Sequence, residues 1–408
     1  MAVRIDTELL IPGRGQPMRP GTVMFDGTVI VYAGPPENAP PAEVSLTAPT
    51  VMPGMWDCHA HLFGFPAGRI GIGETLPLMP PQLGVLRAAR HLEKALAAGF
   101  TSIREVGGYG TFLAAAVEEG TVAGPNVYAA GSPLSQTGGH ADIHMLPEGD
   151  AAHIFERHFG ASALCDGPDD CRRAVRRQLR LGARVIKVCA SGGVMSQIDH
   201  PVHQQFTAEE LTAIVDEAAR ADRVVAAHCH GKPGIMAAIR AGVKTIEHGT
   251  YLDDEAAEAM AEAGAILVPT RFIVEHLRSL GDSPRFPDYA RRKLHAIADR
   301  HLEALRIAID HGVRIALGTD VWNDDVWGRN AEELLHLTEA GLDPLSAIEA
   351  ATATGPETLG PQAPRTGILA PGYDADLITV DGDPTKDLAV LTDPNRITGV
   401  WKGGVRRK

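Results

Sequence analysis

The fold is decided by residues 224–269, which read VVAAHCHGKPGIMAAIRAGVKTIEHGTYLDDEAAEAMAEAGAILVP. Three short apolar runs, at 224–228, 245–248 and 265–269, alternate in this stretch with amphipathic segments such as DEAAEAMAEAG. Short buried strands that alternate with helices indicate repeated βα units on a parallel sheet. Glycine follows most of the helical segments, as expected where a helix ends.

The same alternation extends over the middle of the chain. Helical stretches such as PDDCRRAVRRQLRLG and TAEELTAIVDEAARAD separate the apolar runs, and Thr207 with Glu210 has the spacing of a capping box. Eight strands are predicted: Val51–His61, Thr101–Val106, Asn126–Ser132, Val185–Ala190, Val224–His228, Thr245–His248, Ala265–Pro269 and Arg314–Gly318. Eight such units predict an α/β protein with a (β/α)8 barrel. A doubly wound open sheet is the alternative, and the lack of a Gly-rich nucleotide-binding loop disfavours it.

The two ends of the chain have a different pattern. Residues 1–52 and 366–408 carry short alternating runs with turn residues, as in GTVMFDGTVIVYAGPP and DADLITVDGDP. This pattern predicts β structure. We expect the two segments to pair into one composite β-sandwich, and residues 53–365 to form the barrel.

Composition excludes several classes of function. The 408 residues are 44% hydrophobic and 22% charged, and 38 basic against 51 acidic side chains give a net charge of −13. This charge argues against a nucleic-acid partner, because phosphate binding requires a basic face. No apolar run approaches the roughly 18 residues that span a bilayer, and the N-terminus does not resemble a secretory signal. Five cysteines without a CxxC pair indicate reduced thiols, so we expect a cytoplasmic protein without a membrane partner.

Potential metal ligands lie where the predicted strands end. The first and fifth strands end in DCHAH (57–61) and HCH (228–230), and side chains of a strand alternate, so the two histidines of each pair point the same way. The sixth and eighth strands end in TIEHG (245–249) and LGTD (317–320). Each feature alone has a structural explanation, such as a buried histidine or a helix cap. Their coincidence at the end of the barrel where active sites form favours a metal site.

The fourth predicted strand adds Lys187 to an apolar run, RVIKVCA. Burial of an unpaired ammonium is costly, and a buried lysine tends to lose its proton. The neutral amine can react with carbon dioxide to give a carbamate, an anion able to bridge two cations. The structural alternative is a lysine that reaches solvent or pairs with Asp57 or Glu247.

The motifs PGMWDCHAHL, ARVIKVCASGG, AHCHG, TIEHGT and LGTD occur in that order, with GFTSIREVGG, SQTGGHAD and PGYDADLITVDGDP in support. This set resembles the amidohydrolase superfamily, in particular its binuclear branch with a carboxylated lysine and its prolidase-like, ochratoxin amidase-like and imidazolonepropionase-related members. The resemblance covers nearly the whole chain. It implies a distorted barrel, a small-molecule substrate and a homo-oligomer.

The resemblance also implies a set of roles. Two divalent cations, zinc with manganese or cobalt as substitutes, would be held by His59, His61, Lys187 as a carbamate, His228, His248 and Asp320. A hydroxide shared by the cations would attack a C–N amide bond in a dipeptide, an N-acyl amino acid or a related small amide. Asp320 would take the proton of the attacking water and pass it to the leaving nitrogen.

Substrate contacts are assigned in the same way. His140 matches a family position that polarises the substrate carbonyl or holds a carboxylate, and His230 stands where many relatives have tyrosine. His200 and His203 either line the pocket or lie in an exposed loop. Trp322 and Trp327 either form an aromatic wall or cover the mouth of the barrel.

Three other interpretations of the sequence differ in the reaction or in its absence. A mononuclear deaminase or imidazolone hydrolase is disfavoured, because CHGKPG rather than a glutamate follows His228 and Lys187 would be superfluous. A binuclear relative that catalyses dehydrative cyclisation or decarboxylation in a biosynthetic pathway remains open. A barrel without activity would lack one or more ligands, and all six are present.

Overall fold

The computed structural model of the chain describes residues 2–281, 283 and 286–408. Its strands are β1 Ala2–Leu10, β2 Gly21–Asp26, β3 Val29–Gly34, β4 Val44–Pro53, β5 Met55–Phe65, β6 Phe100–Gly108, β7 Asn126–Ala129, β8 Leu134–Ser135, β9 Ala163–Leu164, β10 Ile186–Cys189, β11 Val225–Cys229, β12 Thr245–His248, β13 Ile266–Val268, β14 Arg314–Ile315, β15 Val321–Asn323, β16 Leu377–Val380, β17 Ile397–Lys402 and β18 Val405–Arg406.

The α-helices are α1 Ile72–Thr75, α2 Pro81–Ala97, α3 Gly110–Glu118, α4 Glu148–Arg157, α5 Pro168–Arg180, α6 Ala208–Ala219, α7 Lys232–Ala241, α8 Asp254–Ala263, α9 Arg271–Ser279, α10 Asp288–Asp310, α11 Glu333–Ala340 and α12 Pro344–Ala350. Short 3-10 helices cover Pro36–Asn38, Leu76–Leu78, Asn330–Glu332, Pro356–Gln362, Leu388–Leu391 and Pro394–Arg396. None of the described helices is both long enough and apolar enough to cross a membrane.

The central strands form a distorted parallel barrel. One sheet has the order β15-β5-β6-β7 and a second has the order β14-β13-β12-β11-β10-β8-β9, with parallel pairing throughout. Two backbone hydrogen bonds join the sheets, from Arg184 to the Ala129 carbonyl at 2.8 Å and from Cys58 to the Leu317 carbonyl at 2.8 Å. The helices pack outside this closed wall, which confirms the predicted barrel.

The predicted first strand, Val51–His61, is in fact two strands. β4 ends at Pro53 and β5 begins at Met55, and between them the Gly54 N–H donates to the Asp376 carbonyl at 3.0 Å. A Cβ at Gly54 would overlap the side chain of Thr101. The apolar run continues across the break because residues on both sides are buried, so hydrophobicity alone does not reveal where the chain leaves one sheet for the other.

Both ends of the chain pair into one sheet of order β18-β17-β16-β4-β1-β2-β3. β4 joins the two ends, because it pairs in parallel with β1 and antiparallel with β16. The sheet curls so that the Ile30 N–H donates to the Tyr373 carbonyl at 2.8 Å. Its inner side chains form a separate core that includes Ile5, Phe25 and Trp401. The predicted sandwich from the two ends is therefore confirmed.

Candidate metal centre and active site

The side chains predicted to form the site line one pocket at the carboxyl ends of the barrel strands. The pocket has an empty volume of about 1310 Å³, including the space open to solvent. Its predicted members are His59, His61, His140, Lys187, His228, His230, His248 and Asp320. Residues from six parts of the barrel thus meet at one place, as strand-end placement requires.

Two of these residues have a left-handed backbone, with φ of 69° at His248 and 59° at Asp320. Regular alternation along β12 would send Glu247 and His248 to opposite faces. The left-handed conformation that ends the strand turns His248 into the site, while Glu247 also points inward. Such strain persists where the surrounding structure enforces it, and it is frequent at functional sites.

One group of possible ligands surrounds Asp320. Its Oδ1 lies 3.2 Å from His61 Nε2 and 3.6 Å from His59 Nε2, and Lys187 Nζ lies 3.3 Å from His59 Nε2. Burial raises the pKa of Asp320, but His59, His61 and Lys187 outweigh it and hold the pKa below its ordinary value. Burial also lowers the pKa of Lys187 and lowers that of His59 to about 4. Neutral imidazoles and an ionised carboxylate are the forms that bind a metal.

A second group consists of His228, His230 and His248, which offer nitrogen atoms within 4.8 Å of one another. His248 also lies within 4.8 Å of His59 and Asp320, so the two groups share it. The sequence predicted His230 as a substrate contact. In the structure its ring stacks on His248 at 4.9 Å between centroids, so it is close enough to be a nitrogen donor as well.

Hydrogen bonds determine which ring nitrogen each histidine presents. His59 Nδ1 lies 2.7 Å from a Glu247 carboxylate oxygen and His61 Nδ1 lies 2.9 Å from the Gly107 carbonyl, so both rings carry the proton there and present an unprotonated Nε2. The His228 ring has the opposite arrangement, because its Nε2 faces the Gly192 carbonyl at 3.2 Å and Nδ1 is left as the nitrogen that can bind a metal. Free imidazole nitrogens next to a carboxylate fit divalent cations.

A buried ion pair supports His59 from behind. Arg104 and Glu247 are both 0% exposed, and Arg104 Nη2 donates to the two Glu247 carboxylate oxygens at 2.7 and 2.9 Å. Burial alone would raise the pKa of Glu247, but Arg104 and His59 lower it well below the ordinary range. Sequence reasoning considered Glu247 as a partner of Lys187. Its partners are Arg104, His59 and the Thr245 hydroxyl. The arginine within the apolar run of β6 was the sequence signal for a buried anion.

Asp57 is a second residue whose structural role the sequence did not predict. Its carboxylate accepts hydrogen bonds from the backbone of His59 at 3.0 Å and of Thr319 at 3.1 Å, and from the Asn330 side chain at 2.6 Å. It therefore ties the strand that carries His59 to the turn that carries Asp320. Nothing in the sequence separates this aspartate from an ordinary strand-end residue.

His140 lies on the substrate side of the pocket, where its ring stacks on that of His228 at 4.1 Å between centroids. Its Nδ1 lies 2.9 Å from the Ser196 hydroxyl, and burial lowers its pKa to about 4. Gly193 allows this contact, because a Cβ there would overlap the His140 ring.

The structure resolves the open alternatives for the flanking residues. His200 and His203 are exposed and contact each other outside the pocket, with 5.2 Å between ring centroids. Trp322 lines the pocket, whereas Trp327 stacks on His91 and packs in the hydrophobic core away from the pocket lining. Cys189 also lines the pocket, beside Lys187.

Most of the remaining pocket wall is apolar. Its apolar residues come from several segments, including β5 with the loop and helix that follow it, the region from the loop after β8 to helix α4, the loop after β10, and helices α9 and α10; examples are Phe63, Ile70, Ile143, Phe155, Val194, Ile273, Leu277, Leu294 and Ile297. Among the described lining residues there is no arginine, and Lys187 is the one lysine.

Comparison with known proteins agrees with this geometry. The profile described as the amidohydrolase family matches residues 50–407. The chain is similar to ochratoxinase of Aspergillus niger, with 45% identity over 97% of this chain and 84% of the relative. The crystal structure of A. niger ochratoxinase superimposes with a TM-score of 0.93 at 42% identity, covering 100% of this chain and 95% of that one. A prolidase crystallised with N-methylphosphonate-L-proline gives 0.91 at 33% identity and covers all of both chains. The protein therefore belongs to the amidohydrolase family.

Proposed function

We propose that this protein hydrolyses the amide C–N bond of an N-acyl amino acid, an apolar dipeptide or a related small amide. The observation that carries the proposal is a pocket with two overlapping groups of ligands at its closed end and an apolar wall beyond them. Amide hydrolysis is in keeping with the names of the relatives, ochratoxinase and prolidase. A pocket of this kind binds a large apolar group through burial and orients it through a few polar contacts.

We propose that His59, His61 and Asp320 hold one divalent cation, that His228 and His248 hold a second, and that Lys187 as a carbamate contacts both. Such cations, with zinc as the expected metal, lower the pKa of a water and polarise a carbonyl. Asp320 accepts the proton of the attacking water and transfers it to the leaving nitrogen, so that the C–O bond forms as the C–N bond breaks. His140 and His230 contact the substrate.

The test is a metal-reconstituted assay with N-acetyl-, N-octanoyl- and N-benzoyl-phenylalanine. We expect turnover of all three, with a higher kcat/KM for the two larger acyl groups because they fill the apolar wall. Elemental analysis after saturation should give close to two metal equivalents per chain. Absence of turnover would contradict the proposed reaction, and a plateau at one equivalent would contradict the binuclear centre.

Lys187→Ala tests the carbamate. This variant should lose one metal equivalent and most of its activity together, and a short carboxylic acid such as propionate should partly restore both by occupying the same space. Metal content and rate are both measured with and without the acid. An alanine variant with two metals and full activity would show that Lys187 has only a structural role.

A further inference from the structure

The loop after β10 contains a turn, residues 193–199, that lines the pocket and packs against helix α10. Its residues 194–197 line the pocket, and Val194 is buried in the same apolar cluster as Leu294 and Ile297 of α10. Met195 is partly buried against this cluster. The turn therefore forms part of the apolar wall, and the contacts that fix the turn also fix the shape of the pocket on that side.

Lys293 of α10 binds this turn through its ammonium group. Its Nζ donates to the Ser196 carbonyl at 2.7 Å, to the Gly193 carbonyl at 3.0 Å and to the Asp199 carboxylate at 3.3 Å. A lysine ammonium has three N–H donors, so each of them has an acceptor in this one turn. The Lys293 side chain is 12% exposed, so water competes little for these hydrogen bonds.

Asp199 closes the turn from within. Its carboxylate accepts from the Gly193 N–H at 2.9 Å and from the Ser196 hydroxyl. The Asp199 side chain is 4% exposed, so the ammonium group of Lys293 compensates a buried negative charge. Removal of one partner from such a pair leaves the other buried without compensation, which is unfavourable. The conformation of the turn thus depends on a side chain from a distant helix.

A second residue of α10 contacts the same turn. Tyr289 precedes Lys293 by four positions, so both side chains lie on one face of the helix. The Tyr289 hydroxyl donates to the Met195 carbonyl at 3.3 Å. Helix α10 therefore contacts the turn at two places, while its Leu294 and Ile297 line the pocket beside it.

We propose that Lys293 is a positioning residue that fixes the 193–199 turn against α10 and thereby determines the preference of the enzyme for substrates with large apolar groups. This inference rests on the proposed function. Lys293 is not among the described residues that line the pocket, so it acts on the substrate through the turn. Without its ammonium group the turn is free to move away from α10, and Val194 and Met195 then bury less of the substrate.

The reacting part of the site has separate supports. His140 packs against Gly193 of the turn. Its N–H also donates to the Gln205 side chain at 3.0 Å, and its ring stacks on His228 at 4.1 Å between centroids. None of the three acceptors of Lys293 belongs to a proposed metal ligand. Loss of Lys293 should therefore weaken the binding of a large substrate and leave the chemical step in place, which gives a higher KM with little change in kcat.

The experiment compares the metal-loaded wild type with Lys293→Met on two substrates, N-benzoyl-phenylalanine and N-acetyl-alanine. Methionine keeps most of the length of the side chain and removes its charge. The ratio of the two kcat/KM values should fall at least fivefold in Lys293→Met, through a higher KM for N-benzoyl-phenylalanine. Fivefold corresponds to about 40 Å² of apolar surface left unburied, at about 25 cal/mol per Å². Both kcat values should change less than about twofold, with metal content verified.

A chemical rescue tests the ammonium group itself. Lys293→Cys should behave like Lys293→Met. Alkylation of the new thiol with 2-bromoethylamine, in which sulfur displaces bromide, restores an ammonium group at nearly the length of lysine, and the ratio should return to within about twofold of the wild type. Wild type treated in the same way controls for its own five cysteines, which are buried. Arg292→Met is the matched control, because Arg292 is an exposed cation at the preceding position of the same helix, and its ratio should equal that of the wild type.

Hydrogen exchange of residues 191–199 reports on the turn without any substrate, and it should be faster in Lys293→Met than in the wild type. Unchanged exchange would overturn the proposal, as would an equal loss of kcat on both substrates, which indicates a purely structural role. If the wild type hydrolyses both substrates and the ratio is the same in Lys293→Met, the inference is wrong and the proposed function stands. If the wild type hydrolyses neither substrate, the proposed function fails and the inferred preference with it.

Discussion

Asp320 differs from the histidines of the two ligand groups, because it offers a carboxylate, a group that can bind a cation and accept a proton. Its left-handed backbone and its contacts with His59 and His61 fix its position. Asp57 holds the preceding residue, Thr319, through two hydrogen bonds. Placement of the proposed proton-transfer group thus depends on a buried carboxylate that is not itself one of the proposed metal ligands.

Asp320→Asn should separate proton transfer from metal binding. Asparagine keeps one ligating oxygen but cannot accept the proton, so kcat should fall about 100- to 10,000-fold while KM changes far less. Steady-state kinetics and metal analysis of the same preparation provide the measurement. Asp325→Asn, five residues along the chain and outside the pocket, serves as the control. Near-wild-type kcat in a fully loaded Asp320→Asn would assign the proton transfer to another residue.

Glu247 contacts His59, a proposed metal ligand, through a hydrogen bond of 2.7 Å. Glu247→Gln should weaken metal affinity about 10- to 100-fold, because the His59 ring loses the anion that fixes its orientation. It should also destabilise the fold by about 3–5 kcal/mol, because Arg104 is left as an unpaired buried charge. Chelator competition measures the first effect and urea unfolding the second.

The double variant Arg104→Met/Glu247→Gln separates these two effects. It removes the unpaired charge, so stability should recover in part while metal affinity stays low. Recovery of metal affinity together with stability would show that Glu247 acts on the fold alone.

At the scale of single elements, the ends of strands and helices depend on specific side chains. The predicted capping box is present at the start of α6, where the Thr207 hydroxyl accepts from the Glu210 N–H at 3.3 Å and Glu210 accepts from the Thr207 N–H at 2.7 Å. The second Glu210 oxygen accepts from the Gly167 N–H at 2.6 Å, just before α5. One glutamate therefore anchors the first turns of two neighbouring helices.

Thr207→Ala should lower the free energy of unfolding by about 1 kcal/mol, as loss of an N-cap does. Glu210→Ala should cost more, because it also leaves the Gly167 N–H without its acceptor. Urea unfolding at constant metal occupancy measures both, and Thr207→Ser, which keeps the hydroxyl, should stay close to the wild type. Equal losses in Thr207→Ala and Glu210→Ala would contradict the link between the two helices.

At the scale of the whole molecule, stability is coupled to pH through buried acids. Glu105 of β6 is 0% exposed, and burial raises its pKa to about 8 from an ordinary 4.5. A Cβ at Gly108 or Gly110 would come within about 2.6 Å of its carboxylate oxygens. The glycines of the GFTSIREVGG stretch and of the turn after it thus make room for a protonated carboxyl group.

Stability should therefore fall as the pH rises from about 4.5 to about 8. In this range the unfolded chain releases the Glu105 proton while the folded chain keeps it, so folding requires proton uptake. The contribution is complete below pH 4.5, is lost as the pH rises through 8, and has a slope of at most about 1.4 kcal/mol per pH unit. Urea unfolding between pH 5 and 8 measures it, and Glu105→Gln should show a flatter dependence. Parallel curves for the two proteins would mean that Glu105 is ionised in the fold.

The sequence by itself determined the barrel, the pairing of the two ends and the residues that gather in the pocket. Short apolar runs indicate buried strands, and the alternation of side chains along a strand indicates which side chains share a face. A barrel brings the carboxyl ends of all its strands to one face. These properties are local and repeat along the chain. They therefore identified His59, His61 and Lys187 without any knowledge of distant contacts.

Only the tertiary structure decided which partner each of these residues has. Arg104 and Glu247 are 143 positions apart in the chain, and Lys293 of α10 reaches Asp199 in the loop after β10, so no local pattern links them. The break at Gly54 and the left-handed backbone at His248 likewise depend on packing against other strands. The ring nitrogen that His59 and His228 leave free likewise follows from tertiary contacts, with Glu247 and with the Gly192 carbonyl.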